Sequence, residues 1–320
     1  MKKTLLLMCA LLLLAGCGKS AGTTAKKMKI GVSVPSATHG WTGGVVWNAQ
    51  EAKKKVEAAN PDVEVMLATS ANAADQVKSI EALTMQNPDA LVVLSQEPEP
   101  LQDVCKRAKD AGAFLVIVSN PLPNNVQDIF VNGDNTSLGE AAGEAMGQAL
   151  KGSGKIVVME GILCPINTER VTGFRTVLAR KYPGIQIMES QPAEWNTEKG
   201  LKLMENYLQK YPQIDGVWAG DDDVLIGALK AYQESGRKDV KVFVGGGGAK
   251  NIVKMVLDNN TNVKATVTYP PDMVAVGVEK ALNGLRNGKK VAPGEETVII
   301  KSEIVTPENA GNYYFPDSPY

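Results

Sequence analysis

A single histidine, His39, serves a chain of 320 residues, so any Ser-His-Asp or Cys-His catalytic device would have to be built on that one imidazole. No Gly-x-Ser-x-Gly elbow occurs, and one His with scattered acids does not make a transition-metal site. Neither charge sign is in excess: 34 Lys and Arg against 35 Asp and Glu leave a net charge of −1, which argues against nucleic acid or an anionic membrane surface as the main partner. Apolar runs of membrane-spanning length are missing as well. The longest, Leu5 to Leu14, is too short to cross a bilayer comfortably. What remains is the composition of an ordinary globular protein, long enough for two domains.

The apolar run follows the basic pair Lys2-Lys3 and precedes small residues, which is the pattern of an export signal. Its end, Leu14-Ala15-Gly16-Cys17, resembles the lipobox of bacterial lipoproteins. That resemblance implies removal of residues 1–16, lipidation of Cys17, and a flexible tether over residues 17–28 rich in Ser, Gly, Thr and Ala. Each acyl CH₂ buried in a membrane contributes about 0.8 kcal/mol, enough for several chains to hold an otherwise soluble body. The protein is then expected outside the cytoplasm, in the periplasm or on the outer face of the cell membrane. Of the four cysteines, Cys9 leaves with the leader and Cys17 carries lipid. Cys105 sits in a helical pattern as a small buried residue, Cys164 in a strand-to-helix loop, and whether they pair is left open.

From Lys29 onward short apolar runs alternate with longer amphipathic ones. The strands expected are Ile30-Val34, Val63-Leu67, Ala90-Leu94, Phe114-Val118 and Ile129-Val131. A second series follows in Ile156-Met159, Gln186-Met188, Gly216-Ala219, Val242-Val244 and Ala265-Thr268. Helical periodicity lies between them over Val45-Ala59, Ala74-Gln86, Leu101-Ala111, Leu138-Leu150, Val171-Arg180, Lys199-Gln209, Val224-Tyr232 and Val274-Arg286, and continuous Val/Ile/Leu strands each followed by a helix imply parallel sheets covered on both faces. The two series look alike: Asn60-Pro61, Asn87-Pro88, Tyr182-Pro183 and Tyr211-Pro212 each stop a helix just before a strand. The fold class is α/β, with two similar doubly wound lobes facing a common cleft and a first crossing at Asn132 to Ser137.

Ligands of such sheets bind outside the carboxyl ends of the strands, where the next helix begins. Asp221-Asp222-Asp223 lies there, after Gly216-Ala219. Asp221, nearest the strand, is expected to face a ligand, while Asp222 and Asp223 are expected to cap the helix or complement its positive end. The trio lacks the alternating spacing of a calcium loop. Gly152-Ser153-Gly154-Lys155 precedes a strand and has Ile156 where a phosphate loop requires Ser or Thr. Gly245 to Gly248 could let backbone approach a ligand or phosphate closely, but no acidic ribose-binding residue follows at the right distance. Trp41 and Trp195 stand in strand-to-helix loops, where packing alone least explains an indole. A flat apolar face suits the C–H side of a sugar ring, while Arg170 offers a fork of donors and Asp221 offers acceptors for its hydroxyls. Trp47 and Trp218, inside a helix and a strand, are assigned to packing.

Four stretches carry a resemblance. They are Ser190-Gln191-Pro192-Ala193-Glu194-Trp195 through Gly200-Leu201, Glu169-Arg170-Val171-Thr172-Gly173-Phe174, Gly133-Asp134-Asn135 and Gly227-Ala228-Leu229. Together they resemble the bacterial ABC-importer substrate-binding proteins of the ribose- and galactose-binding type, which share their fold with LacI-type effector domains. The resemblance implies a type I periplasmic binding fold with a multi-strand hinge. It divides the chain into a first lobe of residues 29–132 plus about 270–296 and a second of residues 133–269 plus about 297–320. It makes Trp41 and Trp195 ring-stacking residues, Arg170 a hydroxyl-binding guanidinium, Asp221 an acceptor, and Tyr269 a hinge residue. Gln96, Asn120 and His39 complete the candidate ligand set, His39 being either a hydrogen-bonding partner or a solvated loop residue. Ser119-Asn120 and Gly247 stand where many relatives carry Asp-Arg and a ligand-binding Asp. Since a sugar hydroxyl left without its partner would cost about 1–3 kcal/mol, ribose, glucose or galactose is not assumed.

The resemblance implies a monomer that captures a sugar or polyol and delivers it to an ABC permease, with no cofactor, metal, nucleic acid or covalent chemistry. The alternative is a receptor that hands a sugar or a furanosyl signal to a sensor. A LacI-type regulator lacks room for a DNA-reading helix pair between Cys17 and the first strand.

Overall fold

The computed structural model describes residues 26–259 and 261–320. The signal segment at 1–16, Cys17 and the tether up to residue 25 lie outside the described residues. The chain runs β1 (Met28–Pro35), α1 (Gly40–Ala59), β2 (Val63–Ser70), α2 (Ala73–Thr84), β3 (Ala90–Leu94), α3 (Pro98–Asp110), β4 (Phe114–Val118) and β5 (Ile129–Gly133). It continues through α4 (Asn135–Ala149), β6 (Ser153–Glu160), α5 (Pro165–Lys181), β7 (Gly184–Pro192), α6 (Thr197–Lys210), β8 (Gly216–Ala219) and α7 (Asp222–Glu234). Then come β9 (Val242–Val244), α8 (Lys250–Asp258), β10 (Val263–Val267), α9 (Met273–Arg286), β11 (Thr297–Ile300) and β12 (Ile304–Val305).

Two six-stranded sheets result, ordered β11-β5-β4-β3-β1-β2 and β12-β10-β9-β8-β6-β7. Every pair in the first is parallel; in the second only the short β10–β12 edge pair is antiparallel. The central strands β3, β4 and β8 are buried at every position, as continuous apolar runs between two helical layers must be. Helices α1 and α9 cover one face of the first sheet, α2 and α3 the other. In the second lobe α4 packs on one face together with α5, while α6, α7 and α8 lie on the other. One apolar cluster runs from the α1/α9 face of the first sheet to the α4 face of the second, so the lobes share part of their core.

The chain crosses between lobes three times. Asp134 N–H donates to Ile300 O at 2.9 Å, Thr268 N–H to Glu303 O at 2.8 Å and Glu303 N–H to the Thr268 hydroxyl at 2.9 Å, which stitches the crossings into one hinge. Because β11 pairs with β5, the first lobe retains the chain through Ile300, and the last crossing falls after that residue rather than near 297. Neither β11 nor β12 is among the expected strands; β11 is a half-exposed edge whose pattern carries little burial signal.

The helix α8 is also absent from the expected series. Its start has no local side-chain cap; instead Asp222 of α7 accepts from Gly248 N–H at 2.9 Å and Ala249 N–H at 2.8 Å. Trp218 is fully buried and stacks on Phe174 with centroids 4.0 Å apart, whereas Trp47, three residues after Gly44 on α1, is 41% exposed and lines a hollow near the hinge. The core-packing role expected of Trp47 is therefore not what the structure shows. Cys105 is buried, its thiol pushed up to about 12 by desolvation, and it is not paired with Cys164. Among the described residues no helix is long and apolar enough to cross a membrane.

Candidate functional site

A cavity of about 290 Å³ lies between the lobes at the carboxyl ends of both sets of strands, close to the lower end of the roughly 300–1,000 Å³ range of ligand pockets. All eight residues singled out from the sequence line it: His39, Trp41, Gln96, Asn120, Arg170, Trp195, Asp221 and Tyr269. Thr38, Ser95, Ser119, Ile162, Glu194 and Asn196 also line it and were not singled out. They lie in the segments that follow the same strands, and that position was the signal that could have found them.

The second lobe supplies the ionic groups. Arg170, on α5, is 4% exposed; its Nε donates to Asn135 Oδ1 at 3.0 Å and its Nη1 to Gly220 O at 2.8 Å. These bonds use two of the five guanidinium N–H groups and leave three for the cavity. The guanidinium also lies 4.4 Å from the Tyr269 ring centre and 6.0 Å from that of Trp195, within cation–π range of both. Trp195 and the preceding Glu194 adopt φ of 54° and 55°, left-handed backbone that costs of order 1–3 kcal/mol per residue when no glycine is present. The surroundings hold this geometry: Ala193 N–H donates to Glu160 O at 2.8 Å, and Asn196 caps α6. The indole lies over Gly161, where any Cβ would collide with its Nε1.

The acidic trio divides its work differently from expectation. Asp221 is itself the cap of α7, accepting from Asp223 N–H at 2.9 Å and Val224 N–H at 3.4 Å, and it still lines the cavity. Asp222 is fully buried and accepts from Gly246, Gly248 and Ala249 N–H and from the Thr266 hydroxyl. The anion-binding backbone of Gly245 to Gly248 is thus occupied by the protein's own carboxylate, which removes the phosphate alternative for that loop. Asp223 reaches across the cleft, its Oδ2 3.4 Å from His39 Nδ1 in the first lobe. The lobes are closed on one another at this point. Burial raises Asp221 from an ordinary 3.8 to about 7, with Asp223 adding to the rise, and raises Asp222 to about 6 against the pull of its amide donors.

The first lobe supplies neutral groups. Asn120 Nδ2 donates to Ser95 O at 2.9 Å and Gln96 Nε2 to Ala71 O at 3.2 Å. A carbonyl only accepts, so both amides have a settled orientation with their oxygens turned the other way. Asn120 Oδ1, Gln96 Oε1 and Ser95 Oγ are all buried without a partner. The loop carrying Ser95 and Gln96 is held by fully buried Gln76, which donates to Leu94 O at 2.8 Å and accepts from Gln96 N–H at 3.0 Å. At the hinge, Trp41 Nε1 donates to Tyr269 O at 2.9 Å. The Tyr269 hydroxyl donates to Asn132 Oδ1 at 3.0 Å and so accepts from the Ser119 hydroxyl at 3.0 Å. Tyr269 therefore shows the cavity its ring, not its hydroxyl. Cys164, at the start of α5, is not among the lining residues, and no group of three His, Cys, Asp or Glu among the described residues is placed to hold a metal ion.

Comparison with known proteins agrees with this architecture. The sequence profile described as "Periplasmic binding protein domain" matches residues 30–290. The ribose import binding protein of Bacillus subtilis is 29% identical over 237 residues, 73% of this chain and 75% of that one. The xylitol-binding protein of Mycolicibacterium smegmatis is 30% identical over 71% of this chain and 64% of its own. Among solved structures, an ABC transporter solute-binding protein from Bacillus halodurans with bound myo-inositol superposes with a TM-score of 0.80 at 25% identity, covering 93% of this chain and all of that one.

Proposed function

Because the chain belongs to the periplasmic binding protein domain family, we propose that it is an exported solute receptor whose cleft closes on a neutral sugar or polyol and delivers it to an ABC permease. Members of this family bind substrates and are not enzymes. We infer the same of this chain, whose cavity holds one imidazole and no nucleophile paired with a base. The observation that carries the proposal is the trio of unpartnered buried oxygens on Ser95, Gln96 and Asn120, opposite Arg170 and Asp221. A solute that satisfies both walls presents several hydroxyl donors to the first lobe and ring oxygens or hydroxyls to the guanidinium. Trp41 and Trp195 offer faces for its C–H surface, and His39 and Tyr269 complete the enclosure. A carboxylate or phosphate set against the first wall would face the two amide oxygens, with the Ser95 hydroxyl the one group of the three able to donate to it.

Cys17 is the proposed lipid anchor after loss of residues 1–16, with the following residues as tether and the body a monomer outside the cytoplasm. Relatives named for import support delivery to a permease over transfer to a sensor. The test is calorimetry and thermal shift on protein lacking residues 1–17, with D-ribose, D-allose, xylitol and myo-inositol alongside sugar acids. A saturable response to at least one neutral solute and none to the acids is expected. A folded protein silent to every neutral solute would overturn the proposal.

A further inference from the structure

Residues beyond β12 fold back onto the second lobe. Lys250 Nζ, on α8, donates to Pro316 O at 3.1 Å and also to Ser318 O, and Tyr320 N–H donates to the Ser318 hydroxyl at 3.2 Å. This anchored turn sends the Tyr320 ring into the gap between the lobes, where it is 8% exposed. Three glycines make its slot. A Cβ on Gly40 would lie 3.2 Å from Tyr320 Cδ2, beside the Asp223 carboxylate at 3.0 Å; one on Gly44 would lie 3.0 Å from Tyr320 Cβ, beside Pro271 Cγ at 2.9 Å; and one on Gly247 would run into the hydroxyl. Gly40 and Gly44 share one face of α1 in the first lobe; Gly247 belongs to the second and lines the solute cavity. Tyr320 also lines a separate hollow of about 670 Å³ near the hinge, together with Gly247, Trp47, Pro271 and Phe315, so the ring stands between the two spaces. Its hydroxyl is buried without a hydrogen-bond partner.

We propose that Tyr320 is a positioning residue of the solute site, a wedge carried by the second lobe that seats against α1 only when the lobes are closed and that seals the cleft behind Gly247. The proposal rests on the cleft being the solute site. Opening the lobes must withdraw the ring from Gly40 and Gly44 and wet an aromatic side chain, the kind that buries roughly 150–250 Å². The closed fraction of the solute-free protein is thereby larger than it would be without the ring, and apparent affinity rises with that fraction. Burial, with the charges of Asp221, Asp222 and Asp223 next, raises the phenol well above its ordinary pKa, so it stays a neutral donor at physiological pH.

Small-angle scattering of the solute-free protein tests the wedge without reference to any ligand. The wild type and Tyr320→Phe are expected to share one radius of gyration. Tyr320→Ala is expected to be larger, and so, by less, is Tyr320→Leu, which keeps an apolar side chain but not the ring. Thermal melts establish that each variant folds, and if Tyr320→Ala does not, Tyr320→Leu decides. With whichever of D-ribose, D-allose, xylitol or myo-inositol binds the wild type, Tyr320→Ala is expected to lose at least about 10-fold in affinity and Tyr320→Phe far less. Equal radii for the wild type and the folded Tyr320→Ala and Tyr320→Leu variants would overturn the proposal. Failure of every solute on the wild type would instead strike at the function proposed above, leaving the scattering result to judge the wedge.

Discussion

The first lobe meets the cleft with Thr38, Ser95, Gln96, Ser119 and Asn120, none of them charged, while the second meets it with Arg170, Glu194 and Asp221. Arg170 and Asp221 are committed to their own lobe before any solute is considered. The guanidinium is tied to Asn135 and Gly220, and the carboxylate to the first amides of α7. The first lobe's amides are tied by their donor ends, which leaves oxygens free. Two sheets of closely similar topology thus divide the labour. Under the proposed function, the desolvated, preorganised ionisable groups of one would hold a solute, and the neutral amides and hydroxyls of the other would test its hydroxyl pattern as the lobes close.

The sharpest way to break this comparison is to remove the charged anchor. Arg170→Ala is expected to weaken binding by about 2–5 kcal/mol, the cost of deleting one partner from a buried, hydrogen-bonded charged set. It should also lower the melting temperature, because Asn135 Oδ1 loses its donor. Arg170→Lys keeps the charge but not the fork and should recover only part of the affinity. Calorimetry with a neutral solute checks both. Unchanged affinity in Arg170→Ala would remove the second lobe from the anchoring role.

Asn120→Leu addresses the neutral wall and should cost less, about 1–3 kcal/mol for a solute hydroxyl left without its acceptor. The diagnostic is a solute cycle: the loss should shrink for a deoxy analogue lacking the hydroxyl that Asn120 receives. An equal loss for parent and deoxy solutes would mean that Asn120 only supports the Ser95 loop through its bond to Ser95 O.

Asp221→Asn separates charge from capping on the second wall. Asn caps a helix as well as Asp does, so the fold should persist. Burial raises the wild-type carboxyl from 3.8 to about 7, so between those values the folded protein holds a proton that the unfolded chain has released. Its contribution to stability is full below about 4 and is lost as pH rises toward about 7. The variant lacks this titration and should gain on the wild type in melting temperature across that window. Parallel melting curves would show that Asp221 ionises as freely in the fold as in the unfolded chain.

How far the chain could be read before its structure depends on how local each cause is. Strands β3, β4, β8 and β9 lie where their apolar runs are, because burial on both faces leaves an unbroken signal. That Trp41, Arg170, Trp195 and Asp221 reach the cavity follows from the rule that strand ends face the cleft, although Trp41 lies in the first turn of α1, not in the loop where the sequence put it, and Arg170 lies within α5. Helix α8 escaped because its cap comes from Asp222, 27 residues before the Ala249 it binds, and no local pattern records that bond. The sharing of the aspartates among cap, glycine loop and cross-cleft contact is equally non-local. So is Tyr320, whose slot joins glycines from both lobes.

The smallest expected effect concerns the hinge, where the two walls meet. Trp41 was singled out as a flat face for a sugar ring, yet its Nε1 donates to Tyr269 O at 2.9 Å, and its ring centre lies 5.5 Å from that of Tyr269. It lines the cavity and is pinned to the hinge at the same time. Trp41→Phe keeps an aromatic face and deletes the donor, so the cost should be that of one neutral hydrogen bond, about 0.5–1.5 kcal/mol. Were the pin to matter only for closure, the loss would fall on the solute association rate, with dissociation little changed. Were the indole face itself the contact, dissociation would quicken instead. Stopped-flow fluorescence with the remaining tryptophans as reporters distinguishes the two, and a variant unaltered in both rates would leave Trp41 outside hinge and wall alike.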